Sequence, residues 1–339
     1  MRNLSKTLFL ALSVMMIALI SGCGSSQSIQ TDQSLVWPPP PDTARIKYVK
    51  TYRGEEDFPS GLSQLLNVVG GKSSTRDLQR PFDVCTDNAD HIYVSDLELG
   101  VISFDLKKNE VTSLTDKPSI PLGGARGLAY DNNQLFVGLV DLGQVAVITT
   151  DGQLVKMIGR KGQFGNPVDV VCDTTKHRIL IVDNKLHKIF IYSENGDSLF
   201  TVGKRGTDDG EFNMPQAAAV DGNSNIYVDD AFNFRIEIFD STGTFLRKFG
   251  DQGEVYGTFA RPKGIALDSF GHIYVLDASH KNYQVFDQQG NLLLFVGKFS
   301  SGNDGFQNPV SLFIDRSNMI YVTDQLNQRV QIFQLLKGN

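Results

Sequence analysis

Short apolar runs recur along this chain, and nearly every one closes on an acid. Ile92-Tyr93-Val94-Ser95-Asp96, Ile179-Leu180-Ile181-Val182-Asp183, Ile226-Tyr227-Val228-Asp229-Asp230, Ile273-Tyr274-Val275-Leu276-Asp277 and Ile320-Tyr321-Val322-Thr323-Asp324 share an apolar triplet with an aspartate two places on. A sixth run, Leu135-Phe136-Val137-Gly138-Leu139, keeps the triplet and loses the acid. Ahead of the runs stand Pro81, Ala125, Pro167, Pro215, Pro262 and Pro309, at steps of 44, 42, 48, 47 and 47 residues. A period of this length marks arrays in which each unit is one small sheet. Such continuous apolar runs belong to strands covered on both faces. A lone four-stranded sheet cannot bury both faces, so stacking the sheets in a ring is what stabilises them. The pattern therefore predicts an all-β fold, a six-bladed β-propeller of four-stranded blades over residues 45–339.

The fourth repeat predicts the blade in detail. Ala217–Val220 is the inner strand, followed by the turn Asp221-Gly222-Asn223-Ser224-Asn225 and the strand Ile226–Val228. Arg235–Phe239 and Thr244–Phe249 complete it, joined by Asp240-Ser241-Thr242-Gly243. The sixth repeat stops after Val330-Gln331-Ile332-Phe333 and has no outer strand. Arg45–Arg53 is strand-like, rich in β-branched and aromatic residues. It is expected to supply that missing strand, because an open blade edge invites aggregation. Leu62, Leu65, Leu66 and Val69 have helical spacing within Gly61–Val69, which reads as a short lid or plug.

The first 22 residues read as an export signal. Arg2 and Lys6 precede a 13-residue apolar run, Leu8 to Ile20, broken only by Ser13. That run is too short to span a bilayer. Ile20-Ser21-Gly22-Cys23 resembles the bacterial lipobox, in which small residues precede a cysteine that becomes lipidated; Cys23 is the expected anchor. Residues 23–44 then form a tether, ending in the stiff Trp37-Pro38-Pro39-Pro40-Pro41. The expected location is the bacterial cell envelope. Gly24 after the cysteine resembles an outer-membrane address, facing the periplasm or the cell surface.

The net charge is −6 for the whole chain and −8 without residues 1–22. That balance offers no electrostatic footprint for nucleic acid. Cys85 and Cys172 sit on non-neighbouring repeats and are expected as buried free thiols. Neither a haem signal nor a zinc spacing of Cys and His occurs in the sequence.

The repeats resemble the NHL repeat, and the propeller is accordingly expected to be NHL- or TolB-like. The resemblance rests on Pro262-Lys263-Gly264-Ile265-Ala266-Leu267-Asp268, on Gly271-His272-Ile273-Tyr274-Val275-Leu276-Asp277, and on Asn233-Phe234-Arg235 and Asn327-Gln328-Arg329. It covers about three quarters of the chain. Repeats one and two depart most, with Leu139 in place of the aspartate and Gly143-Gln144-Val145 in place of Asn-x-Arg. NHL propellers serve as protein-binding platforms, RNA binders and occasional enzymes, so the resemblance specifies fold more than function.

The acids Asp87, Asp131, Asp173, Asp221, Asp268 and Asp315 fall in turns, where side-chain capping of the backbone accounts for them. The glycine-rich connections lead into strands and so are not phosphate loops. The residues after each proline would instead line the mouth of the central channel. With the adjacent loops they nominate Asp83, Arg126, Asp169, Gln216, Lys263, His187 and His280 as binding residues. Arg235 and Arg329 match the arginine of the repeat and are expected to brace loops.

No catalytic set converges, and no metal or other cofactor is expected. The leading reading is a lipid-anchored binding or scaffold protein that presents its channel face to a protein or an extracellular polymer. The alternative comes from the resemblance: similar propellers include metal-dependent lactonases, esterases and lyases. Asp83 and Asp169 would then be ligands, opposed by Arg126 and Lys263 beside them.

Overall fold

The computed structural model describes residues 35–58, 76–116 and 122–336. Cys23, the export signal, residues 24–34 of the tether and the Gly61–Val69 segment lie outside the described residues. Six antiparallel sheets are present, five of four strands and one of five. The inner strands are Pro81–Thr86, Ala125–Asp131, Pro167–Asp173, Ala217–Val220, Pro262–Leu267 and Pro309–Ile314. They touch in circular order, and the last packs on the first, so the ring is closed. The strands of blade 4 are Ala217–Val220, Ile226–Asp230, Arg235–Phe239 and Phe245–Phe249, close to the ranges expected from sequence.

The apolar runs are buried on both faces because each of the six blade interfaces holds its own apolar cluster. Each fully buried aliphatic or aromatic side chain contributes roughly 1.5–3 kcal/mol by leaving water. Phe212, Phe259 and Phe306 plug the joints between blades. They lie under Gly203, Gly250 and Gly297, whose φ angles of 85°, 103° and 106° occupy the left-handed region. A Cβ at any of the three would strike the phenylalanine ring, so glycine is required twice over.

The expected closure is present. Ile46–Tyr52 pairs antiparallel with Arg329–Leu335, from Ile46 opposite Leu335 to Tyr52 opposite Val330. The tether, however, ends earlier than the sequence suggested. Val36–Trp37 forms a fifth strand on the same sheet. Trp37 packs edge-on against Phe333 at 5.6 Å between ring centroids. The prolines after Trp37 sit in the turn of this hairpin, closed by Arg45 N–H donating to the Trp37 carbonyl at 2.7 Å. Residues 35–44 are thus part of the propeller and not a free rod, because the indole finds an apolar site at the seam.

Arg235 and Arg329 brace loops as expected. Arg329 is fully buried and donates to the carbonyls of Ser301, Gly302 and Gly305 and to Asp324. Arg235 makes the equivalent set to Thr207, Asp208, Glu211 and Asp230. The turn acids cap as expected: Asp221 accepts from Asn223 and Asn225 N–H, and Asp315 from Ser317 and Met319 N–H. Cys85 and Cys172 are both free, the first buried and the second only half-buried.

Candidate functional site at the channel mouth

The axis of the ring encloses a cavity of about 670 Å³ walled by the inner strands. Four of the inner strands begin at their proline, blade 2 at Ala125 and blade 4 at Ala217, two residues after Pro215, and the residue after the proline or Ala125 stands at the mouth. In five of the six blades the ladder slips there, between Pro81 and Asp83, Ala125 and Leu128, Pro167 and Asp169, Pro262 and Gly264, and Pro309 and Ser311. Bulges of this kind re-aim side chains and gather at functional rims. Here they turn Phe82, Arg126, Val168, Lys263 and Val310 to the mouth. Blade 4 has no bulge, and Gln216 N–H donates to the Asp229 carbonyl instead.

One step below the mouth runs a ring of Asp83, Gly127, Asp169, Ala217, Gly264 and Ser311, two acids set among four small residues. The spacing is steric: a Cβ on Gly127 would come within 2.5 Å of the Asp169 Cα. Both acids stitch blades together. Asp83 accepts from Val84 N–H and Leu128 N–H at 2.8 Å and from the Ser311 hydroxyl at 2.5 Å, tying blade 1 to blades 2 and 6. Asp169 accepts from Ala218 N–H of blade 4 at 2.8 Å. Burial raises both carboxyls above the ordinary range, and Asp83 adds to the rise at Asp169.

The cations of the mouth are differently placed. Arg126 is half-buried with its guanidinium 5.3 Å from the Phe82 ring centroid. The Lys263 ammonium donates to Gln216 Oε1 at 3.3 Å, and Arg261 donates to Asn308 Oδ1 at 3.0 Å. Among the described residues, no carboxylate lies within ion-pair distance of Arg126, Arg261, Lys263 or Lys281. Burial, then Arg80, lowers the Arg126 pKa. Burial, then Arg261, lowers those of Lys263 and Lys281. The mouth is therefore a patch of crowded cations on a protein of net negative charge, with Asp141, Asp229, Asp324 and Asp277 attracting them only from beyond ion-pair distance.

Of the residues nominated from sequence, the structure brings Asp83, Asp169, Gln216 and Lys263 to the cavity wall and Arg126 to the rim beside them. The two histidines are elsewhere. His187 Nδ1 accepts from Met214 N–H at 3.0 Å and links blades 3 and 4. His280 is buried in its loop, with Nδ1 3.7 Å from Asp277. It stands where blades 4 and 6 have Asn233 and Asn327, which reach loop carbonyls. Sequence reasoning missed Arg80, Arg261 and Asp229. The signals were the Arg-Pro pairs Arg80-Pro81 and Arg261-Pro262, and a second acid inside a buried strand.

Asp229 is fully buried, and neither carboxylate oxygen has a hydrogen-bond partner among the described residues. Burial, then Asp230 and Asp277, raises its carboxyl well above the usual range. At the same strand position Ser95 and Thr323 donate hydroxyls to the carbonyls of Arg126 and Phe82 on the next blade. Among the described residues, no three His, Cys, Asp or Glu side chains are arranged to hold a metal ion. Asp83, with both oxygens engaged, does not fit the role of a ligand.

No family model and no curated protein sequence matches the chain. Solved structures do. A protein of unknown function from Bacteroides thetaiotaomicron superposes with a TM-score of 0.61 at 16% identity, over 78% of this chain and 72% of that one. An auxiliary nutrient binding protein from the same organism gives 0.58 at 15% identity, over 77% and 70%. Virginiamycin B lyase from Staphylococcus aureus gives 0.56 at 10% identity, over 76% and 96%. At such identities the likeness is one of fold: the chain is a six-bladed β-propeller similar to binding proteins and to a lyase alike.

Proposed function

We propose that this chain is a non-catalytic binding protein of NHL-repeat type. It is anchored in the bacterial envelope through lipid on Cys23 and captures an acidic protein or polymer on its channel mouth. The observation that carries the reading is the cluster of Arg126, Arg261, Lys263 and Lys281 without carboxylate partners. Charges left unpaired at a concave rim steer and select partners of opposite sign. The likeness to a nutrient binding protein is consistent with this role. The likeness to a lyase raises the catalytic alternative, but Asp83 is occupied with holding three blades and Asp169 reaches a fourth.

The test is retention on immobilised polyglutamate and polygalacturonate. The native protein should be retained and released by salt, and the Arg126→Glu, Lys263→Glu variant should pass through while unfolding at the native temperature. Metal-dependent hydrolysis of lactones or esters, lost on Asp83→Ala, would overturn the reading. For the anchor, Cys23→Ser should release the protein from membranes; continued membrane fractionation at the mature mass would refute it.

A further inference from the structure

The mouth carries cations and the throat beneath it carboxyls, and neither group satisfies the other. Asp169 accepts from Ala218 N–H of blade 4, has Val170 N–H as a second backbone neighbour, and remains half-buried on the cavity wall. Asp83 shares its ring, and no basic side chain lies within ion-pair distance of either acid among the described residues. At the mouth, a step of about 3.3 Å along the strand from that ring, Arg126 and Lys263 have no anion in contact among the described residues, Asp141 and Asp229 acting on them only from beyond ion-pair distance. Phe82, Val168 and Val310 stand between these cations around the mouth and give it an apolar lining. The cavity, about 670 Å³, falls within the range of small-molecule sites, which combine apolar walls with a few placed polar groups.

A purely anionic ligand would answer the rim and then meet the acids. A purely cationic one would be repelled at the rim before reaching them. A molecule with both charges answers both. The long side chains of Arg126 and Lys263 carry their charges away from the strands, so the two charges of the ligand must be separated by several bonds.

We propose that the channel holds a small zwitterion of the ω-amino acid class, with its carboxylate between Arg126 and Lys263, its ammonium beside Asp169 and its methylenes against Phe82, Val168 and Val310. This rests on the reading of the rim as an anion site and adds the acid below as a second determinant. Burial of Asp169 without a cation is costly, as its raised carboxyl shows, and an ammonium would relieve that cost.

The experiment is calorimetric titration of the purified protein with three probes of equal length: 6-aminohexanoate, hexanoate and hexylamine. The zwitterion should bind at least tenfold more tightly than either singly charged probe. Asp169→Asn and Lys263→Gln should each weaken it about tenfold; thermal unfolding of both variants establishes that they are folded, and Lys263→Gln suffices if the other is not. Hexanoate binding as well as the zwitterion would overturn the inference while leaving the cationic, anion-binding rim standing. Equal binding of hexylamine, or binding of no probe, would also overturn it.

Discussion

Both ends of the channel carry acids and bases, and they use them in opposite ways. At the far end Asp173 and Arg178, each at most 5% exposed in the side chain, pair at 2.9 Å. Arg178 also donates to the carbonyls of Ser241 and Ser224 on the next blade. Asp87 holds His91 and Asp268 holds His272, each at 2.7 Å. At the mouth, Arg126, Lys263 and Lys281 make no ion pair among the described residues: Arg80 and Arg261 repel them, and Asp141, Asp229, Asp324 and Asp277 attract them only from beyond contact. Ion pairs that stitch blades have no valence left for a partner. Recognition therefore falls to the end where charge is left over, although the repeat supplies both ends with the same strands and turns.

The largest effect should come from breaking the far end. Arg178→Ala leaves Asp173 buried without its partner, and such losses cost about 3–5 kcal/mol. Urea unfolding should show a midpoint shift of that size with an unchanged slope. A cost below about 1 kcal/mol would mean that the far end is not held by its charges, and the contrast between the ends would fail.

Trp37 calibrates that scale with a contact that involves no charge. Full truncation of a buried tryptophan costs about 3–5 kcal/mol; Trp37 is half-buried, so Trp37→Ala should cost about 2 kcal/mol in the same experiment. Deleting residues 24–34 should cost nothing measurable. Equal stability of the Trp37→Ala and native proteins would return residues 35–44 to the tether.

Why the sequence led elsewhere at Trp37 is instructive. Four consecutive prolines dominate any local reading, and they do preclude a helix, but they do not say whether the flanking indole has an apolar site to enter. That site, Phe333, lies almost 300 residues away and exists only once the ring closes. The ring itself was legible because each period encodes one sheet whose two apolar faces demand neighbours. The mouth was legible in register: the residue after each proline, or after Ala125 in its place, had to share one end of the axis, which grouped Arg126, Gln216 and Lys263. The pairing of charges was not legible. His280 lies on a mouth-side loop in sequence terms, yet its ring is buried beside Asp277, and Asp83 looked free until Leu128 N–H and Ser311 arrived from two other blades.

Asp229 sharpens the comparison from the mouth side, because among the described residues it is an acid there with no hydrogen-bond partner, attracted only at a distance by Lys263. Its carboxyl is raised well above the ordinary range, chiefly by burial. Burial likewise pushes Glu237 from 4.5 to about 7. A group whose pKa is higher folded than unfolded holds more protons in the folded state, so its contribution is full below the unfolded value and is lost as pH rises. Asp83 and Asp169, raised from 3.8 to about 6 and about 8, act in the same sense, so stability should fall between about pH 4 and 8, by at most about 1.4 kcal/mol per pH unit for each group. Asp105, lowered to about 2, acts in the opposite sense but only below the ordinary aspartate range, outside this window. Asp229→Asn should flatten the decline seen in unfolding free energy against pH. An equal slope in the variant would show that Asp229 does not titrate on folding.

The smallest effect on stability belongs to the residues that carry the functional reading. Arg126→Gln removes a cation stacked on Phe82, an interaction worth about 0.5–1 kcal/mol. It also removes a charge repelled by Arg80. Lys263→Gln likewise relieves repulsion from Arg261 and Arg126, and gives up the attraction to Asp229 that stands between them in size. Loss and relief nearly cancel, so each variant should unfold within about 0.5 kcal/mol of the native protein. The balance has a signature that a structural role would lack. Repulsion among partly exposed cations is screened over about 10 Å at 0.1 M salt, so both variants should gain stability relative to the native protein when salt is withdrawn. A loss at low salt would mean that these cations hold the mouth together as Arg178 holds the far end, and the distinction between a stitched end and a free one would be gone.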